Sequence, residues 1–222
     1  MTLEIPGPEN KYSFIIDKEP DYASTNGKSP QEVMGYFNKQ GKGLITYPEL
    51  YAFYAFSKDI LENNGDLEVK VECEQLLNKI RADFTNPVKY FMLGSFMQTK
   101  KDPENFNRNS KIIHYGKSKV AIPEEGWLNI PFYKGDISDI MVSDDGLKFM
   151  QAMISKNDDR KTIEENIKFG TNSKIVPMKT PPEFRRDELD YYQVLVSENT
   201  FMIYFDTTRC CGSARGVKYI NK

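Results

Sequence analysis

Within residues 47 to 56 (YPELYAFYAF) Glu49 is the only charged side chain, and five of the ten are aromatic. Leu50, Phe53, Tyr54, Ile60 and Leu61 recur at helical spacing, which predicts a helix. Tyr47, Tyr51, Phe53, Tyr54 and Phe56 then fall on more than one side of it, so this helix must bury more than a single stripe. Two arrangements satisfy that demand. Either the helix is central to the fold, or its outer side meets another chain, since tyrosine-rich surfaces are favoured at interfaces. Tyr47, Tyr51 and Tyr54 are therefore candidate interface residues. The whole chain is rich in such rings, with 13 tyrosines and 14 phenylalanines against one tryptophan and one histidine.

The flanking pattern gives the fold class. KYSFIID (11–17) predicts a short strand. Ser29, Pro30 and Glu32 together read as a helix start, with a capping box and a proline at the first helical position. Val69, Cys73, Leu76, Leu77 and Ile80 share one face of a helix spanning 66–84, and Asn86–Pro87 opens another that carries Phe91, Met92, Phe96 and Met97. Residues 99 to 111 (TKKDPENFNRNSK) are polar and aperiodic, which marks a boundary or long loop. Beyond them the period changes. KIIHY and KVAIP form a strand pair about Gly116, and Trp127 to Phe132 is extended. Leu147, Met150, Met153 and Ile154 lie on a helix begun by Ser143 or Asp144, and Arg160 to Phe169 forms the next. Tyr191–Val196, Phe201–Asp206 and Val217–Ile220 read as closing strands, the first two a hairpin. The expectation is an α+β fold: a mainly helical region over 1–100, then a mixed, mostly antiparallel region over 110–222 with two helices and a final three-strand meander. Both regions fit within one continuous domain.

Residues 34 to 50 (MGYFNKQGKGLITYPEL) resemble the EF-hand, a calcium-binding helix-loop-helix, over about 30–62. On the family's loop, Asn38 takes position 1, Gln40 position 3, Lys42 position 5, Gly43 the turn at 6, Ile45 position 8, Thr46 position 9 and Glu49 position 12. Gly43, Ile45 and Glu49 keep the family's geometry, but Lys42 puts a cation where an oxygen ligand belongs. Two unit charges 4 Å apart interact by roughly 4 kcal/mol at an effective dielectric of 20, and a divalent ion facing an ammonium by about twice that, unfavourably. The resemblance therefore implies a helix-loop-helix without bound metal, in which the Lys42 ammonium pairs with Glu49 or Asn38.

Composition narrows the function classes. With 39% hydrophobic and 28% charged residues and a net charge of −2, the 222-residue chain reads as a soluble globular protein with no bulk attraction to nucleic acid or membranes. No apolar run approaches the ~20 residues that span a bilayer, and MTLEIPGPENKY lacks the features of a signal peptide. Cys73, Cys210 and Cys211 make no disulfide framework, so a reduced, cytoplasmic or intracellular setting is expected rather than secretion, and a virion assembled inside a cell fits it equally well.

No catalytic constellation emerges. Gly27, Lys28 and Ser29 lack the earlier glycine of a phosphate-binding loop, Tyr22 standing in its place. His114 is the sole histidine, which excludes multi-histidine metal sites and reads as structural. Asp136, Asp139, Asp144 and Asp145 read as turn and cap residues. In RCCGSARG (209–216) the Cys210–Arg215 spacing falls one short of a phosphatase loop. Arg209, Gly212, Ser213 and Arg215 remain as an anion- or partner-binding turn. Segment 100–119 carries a local charge of +4 with Phe106 and Tyr115 interleaved, a basic surface that reads as solvated rather than as a nucleic-acid site. The leading expectation is a non-enzymatic structural or assembly protein acting through protein partners or self-assembly, such as a virion or phage subunit, with no cofactor and no membrane. Alternatives are a calcium-responsive binding module and an enzyme on a phosphorylated or nucleotide substrate using His114, Arg209 and Arg215.

Overall fold

The computed structural model describes residues 2–63, 65–84, 90–100, 108–124, 126–130, 134–179, 190–197, 200–204 and 212–220. The chain opens with strands β1 (Ile5–Pro6) and β2 (Ser13–Ile16), followed by helix α1 (Pro30–Lys39), strand β3 (Gly43–Leu44), and helices α2 (Tyr47–Glu62) and α3 (Leu67–Phe84). Next come β4 (Tyr90–Lys100), β5 (Arg108–Tyr115), β6 (Lys119–Ile122), β7 (Leu128–Ile130) and β8 (Lys134–Asp136). Helices α4 (Ile137–Ile140), α5 (Asp144–Met153) and α6 (Arg160–Thr171) lead to β9 (Pro177–Lys179), β10 (Asp190–Ser197), β11 (Thr200–Tyr204), β12 (Gly212–Ala214) and β13 (Gly216–Ile220). The α+β class holds, but the N-terminal half is not simply helical, since it starts in sheet.

The strands form two sheets. The smaller has the order β1-β2-β13-β3, and the larger runs β6-β5-β4-β10-β11-β9-β8, with β12 added to β4 and β7 to β5. Strand β4 corrects the helix expected around Phe91, Met92, Phe96 and Met97. It pairs antiparallel with β5 on one side and β10 on the other, and Phe91 through Met97 are buried without a break. A strand covered on both faces reads as a continuous apolar run, which periodicity does not separate from a buried helix. The polar segment after it joins β4 to β5, which are hydrogen-bonded neighbours. The expected terminal meander is also corrected. β10 and β11 form the hairpin, closing at Ser197 opposite Thr200, but β13 leaves them to pair with β2 and β3 in the other sheet.

The helix starts follow local chemistry. Ser29 caps α1 and Thr46 caps α2, each in a capping box completed by Glu32 and Glu49, with Pro30 and Pro48 in the first turns. Ser143 caps α5 and Asp159 caps α6. Helix α6 ends at Asn172, held left-handed at φ 55°, a conformation asparagine tolerates better than most residues.

One cluster of buried side chains extends from Leu3 to Val217, and α2 lies within it. Tyr47, Tyr51 and Tyr54 are at most 4% exposed, and Leu50 and Phe53 are fully covered. The aromatic circumference is thus satisfied inside the chain, and the reading of these three tyrosines as an interface gives way. α2 packs chiefly on α6 and α3. Tyr54 lies flat on Gly170 of α6, so close that a Cβ there would sit 2.2 Å from the ring.

That contact yields a signed test. Alanine is favoured over glycine within a helix by about 1 kcal/mol, so propensity alone predicts that Gly170→Ala stabilises. The packing predicts the reverse, a loss of about 1–3 kcal/mol from a clash with a rigid ring. Urea denaturation of the variant distinguishes the two by the direction in which the midpoint moves.

Candidate functional site

The polar interior converges on the loop between α1 and α2. Lys42 Nζ contacts both carboxylate oxygens of Asp17, at 2.8 and 2.9 Å. This corrects the expected partner, since neither Glu49 nor Asn38 receives the ammonium. β3 then pairs with β13. The Ile45 N–H donates to the Arg215 carbonyl at 3.1 Å, and the Ile45 carbonyl accepts from Gly94 N–H of β4 at 2.8 Å. One residue thereby joins the two sheets. Gly43 lies so close to Tyr219 that a Cβ would approach its hydroxyl to 2.5 Å.

Glu49, at the last ligand position of the EF-like loop, is fully buried. Its Oε2 accepts from the Thr46 N–H at 2.8 Å and the Thr46 hydroxyl at 2.9 Å, and its Oε1 accepts from the Tyr12 hydroxyl at 2.9 Å. Burial pushes this carboxyl upward, opposed by those donors and by the nearby Tyr219 hydroxyl. The same desolvation, with the Glu49 charge, raises Tyr12 and Tyr219. Asn38 and Gln40, the other candidate ligands, are exposed while Glu49 is buried, so they do not converge on it. Among the described residues no group of three or more His, Cys, Asp or Glu side chains is placed to hold a metal ion.

A second polar chain begins one residue after Thr46. The Tyr47 N–H donates to Ser95 Oγ at 2.8 Å, Ser95 Oγ meets His114 Nδ1 at 2.9 Å, and His114 Nε2 meets the Ala152 carbonyl at 2.9 Å. A carbonyl only accepts, so Nε2 carries the proton and Nδ1 receives the Ser95 hydroxyl. Ser95 and His114 face each other across β4 and β5, a pairing that sequence spacing does not reveal. They are the residue types of a nucleophile and a base, yet Ser95 is fully buried and His114 is 5% exposed. Burial pushes His114 down to about 4, against the Ala152 hydrogen bond. The arrangement ties α2, β4, β5 and α5 together.

Arg215, between β12 and β13, is 1% exposed. Its Nε donates to Asp83 Oδ2 at 2.7 Å and its Nη1 to the Asp17 carbonyl at 2.7 Å, while Nη2 is buried without a hydrogen bond. Burial pushes Asp83 up and the guanidinium pulls it back. The expected anion partner is thus a carboxylate of the same chain. Gly212 and Ser213 are buried in β12, which pairs in parallel with β4, and the Gly212 carbonyl accepts from Thr25 Oγ1 at 3.1 Å. Arg209, Cys210 and Cys211 lie outside the described residues. No hydrogen bond or ion pair among the described residues joins Arg215 to His114.

Two features remain on the surface. A shallow groove of about 200 Å³ lies between β2 and α3, lined by Leu3, Ile16, Lys18, Glu72, Leu76 and Lys79. Its rim charges are paired, Lys18 with Glu72 and Lys79 with Glu19. The β5–β6 hairpin presents lysines seated on rings: Lys111 over Trp127 at 5.0 Å, Lys119 over Tyr115 at 5.2 Å, and Lys117 over Tyr12 at 5.4 Å. These belong to the basic segment singled out in the sequence, although Trp127 and Tyr12 come from outside it. Comparison of the chain with protein-family models, curated proteins and solved structures finds no match.

The buried groups give two tests. His114 is lowered from an ordinary value near 6.5, so its neutral form is favoured in the native state and the unfolded chain binds the extra proton. Its contribution is fully present above about pH 6.5 and is lost as pH falls toward about 4, amounting to about 3 kcal/mol over that window. The difference in unfolding free energy between wild type and His114→Gln, measured at several pH values, should shrink accordingly as pH falls. For the ion pair, Asp83→Ala leaves a buried guanidinium and should cost about 3–5 kcal/mol. Replacing both partners, as Asp83→Ala with Arg215→Met, should cost less than that single change in the same denaturation assay.

Proposed function

We propose that this protein is a structural or assembly component, a subunit of a larger complex that acts through its surfaces rather than by catalysis. The observation that carries this reading is where the chemically capable side chains are engaged. Both ring nitrogens of His114 are bonded within the core, Glu49 is ringed by hydroxyl and amide donors, and Arg215 is held by Asp83 and Asp17. Each links separate elements of the fold. A catalytic acid, base or nucleophile must instead reach a substrate proton or carbon. Among the described residues the surface carries features of another kind: lysines on aromatic platforms, and exposed apolar side chains such as Leu67, Val71, Val120, Val142 and Ile175. Leu67 and Val71 stand one turn apart on α3, opposite its buried face.

Light scattering across a wide concentration range, with cross-linking in the native cell, tests the reading. The expected result is a species heavier than the 25.7 kDa chain, either self-associated or cross-linked to a defined protein. A monodisperse monomer at every concentration that also cross-links to nothing overturns it.

A further inference from the structure

We propose that the open edge of the large sheet, at β6, docks an extended acidic polypeptide segment as an added strand. The proposal rests on the surface-acting role above and assigns it a place and a partner chemistry. β6 is the terminal strand of its sheet, paired only with β5 among the described residues. A terminal strand keeps a row of backbone N–H and C=O groups aimed outward, which an extended peptide can pair. Lys117, Ser118, Lys119 and Val120 are exposed there, Val120 by 41%. An incoming strand would cover an apolar side chain as well as complete the ladder.

The charge selects the partner. Lys119 lies on this edge, Lys117 in the turn before it and Lys111 on the neighbouring β5, and each ammonium is seated on a ring at 5.0–5.4 Å. A lysine held by a ring has less rotamer freedom left to lose on meeting a carboxylate. Among the described residues, Glu124 lies just past β6 and acts on Lys11, whose ion-pair partner is Glu9. An acidic strand therefore gains fixed cations. A second copy of this same edge brings lysine against lysine, which disfavours self-pairing. Pro123 follows directly after β6 and keeps the edge short, so the added strand is short too.

Nucleic acid fits less well. Single strands bind through free aromatic faces on which bases stack, and here those faces carry lysines. A nucleic acid also has no use for the outward peptide groups of β6.

The test uses the whole protein and the emission of its single tryptophan, Trp127, with a labelled glutamate-rich peptide as probe. Parallel arms use a lysine-rich peptide, a single-stranded oligonucleotide and the glutamate-rich peptide N-methylated at alternate residues. Binding of the acidic peptide alone is expected, weakened by salt, lost on N-methylation, and reduced about tenfold or more in Lys117→Glu/Lys119→Glu. Circular dichroism of the double variant establishes that its fold is retained, and the N-methylated arm needs no variant. Oligonucleotide binding as tight as the peptide's, equal binding of the N-methylated peptide, or a folded double variant that binds undiminished each overturns the proposal. An assembly whose mass the double variant leaves unchanged and whose protein ignores the acidic peptide removes the β6 assignment alone. A lone monomer that still binds the acidic peptide removes the assembly reading alone.

Discussion

The two peptide hydrogen bonds of Ile45 hold the architecture together. Through its N–H the loop is fastened to the carbonyl of Arg215, at the start of β13, and through its carbonyl to Gly94 in the middle of β4. The smaller and larger sheets meet at this residue, and the next, Thr46, caps α2. Each such bond contributes only about 1 kcal/mol net, but opening the junction leaves buried donors and acceptors unmade at about 1–3 kcal/mol apiece. Parting the sheets would also strand Glu49, whose donors come from Thr46 and Tyr12, and the Ser95–His114 chain that begins at Tyr47. The loop, the start of α2 and the sheet contact thus stand or fall together.

The buried ionisable groups are arranged to limit the charge held at this junction. Desolvation biases both Glu49 and His114 toward their neutral forms, one by raising and the other by lowering its titration. Their effects on stability have opposite signs with pH: Glu49 favours the acid side and His114 the neutral side. Where a full charge is buried, at Arg215, a carboxylate stands against it at 2.7 Å. A partnered guanidinium adds little over an apolar substitute of the same shape, but it accepts few alternative packings. Arg215 therefore fixes the direction in which the chain leaves β12 for β13 and so enters the smaller sheet.

What could be read from the sequence follows the range of the interaction involved. Ser29 with Glu32, Ser143 at α5 and the two-residue closure at Ser197–Thr200 are local, and these were legible. The amphipathic faces of α3 and α6 were legible for the same reason. β4 was not, because a strand buried on both faces loses the alternation that identifies strands, and Phe91, Met92, Phe96 and Met97 also fit a helical spacing. β13 was legible as a strand, but its place was not, because its partners β2 and β3 lie near the other end of the chain. Lys42 to Asp17, Arg215 to Asp83 and Ser95 to His114 join separate elements: each residue is visible in the sequence, but the pairing exists only once those elements are packed together. Tyr47, Tyr51 and Tyr54 demanded burial, and the sequence alone did not say whether this chain or another would provide it.

The likeness of residues 34–50 to an EF-hand becomes physically informative at this point. In a calcium sensor the loop is organised by an ion, and the helix pair changes angle when the ion binds. Here the organising contacts come from the chain itself: an ammonium on Asp17, hydroxyls on Glu49, and backbone bonds to both sheets. The helix pair is thus braced by the chain's own contacts, those of Ile45 to both sheets among them. The aromatic face of α2 that the sequence left unassigned, Tyr47, Tyr51 and Tyr54, is covered by this chain itself. The proposed docking at β6 needs no movement of that helix pair, because it uses the outward edge of a strand that ends the larger sheet.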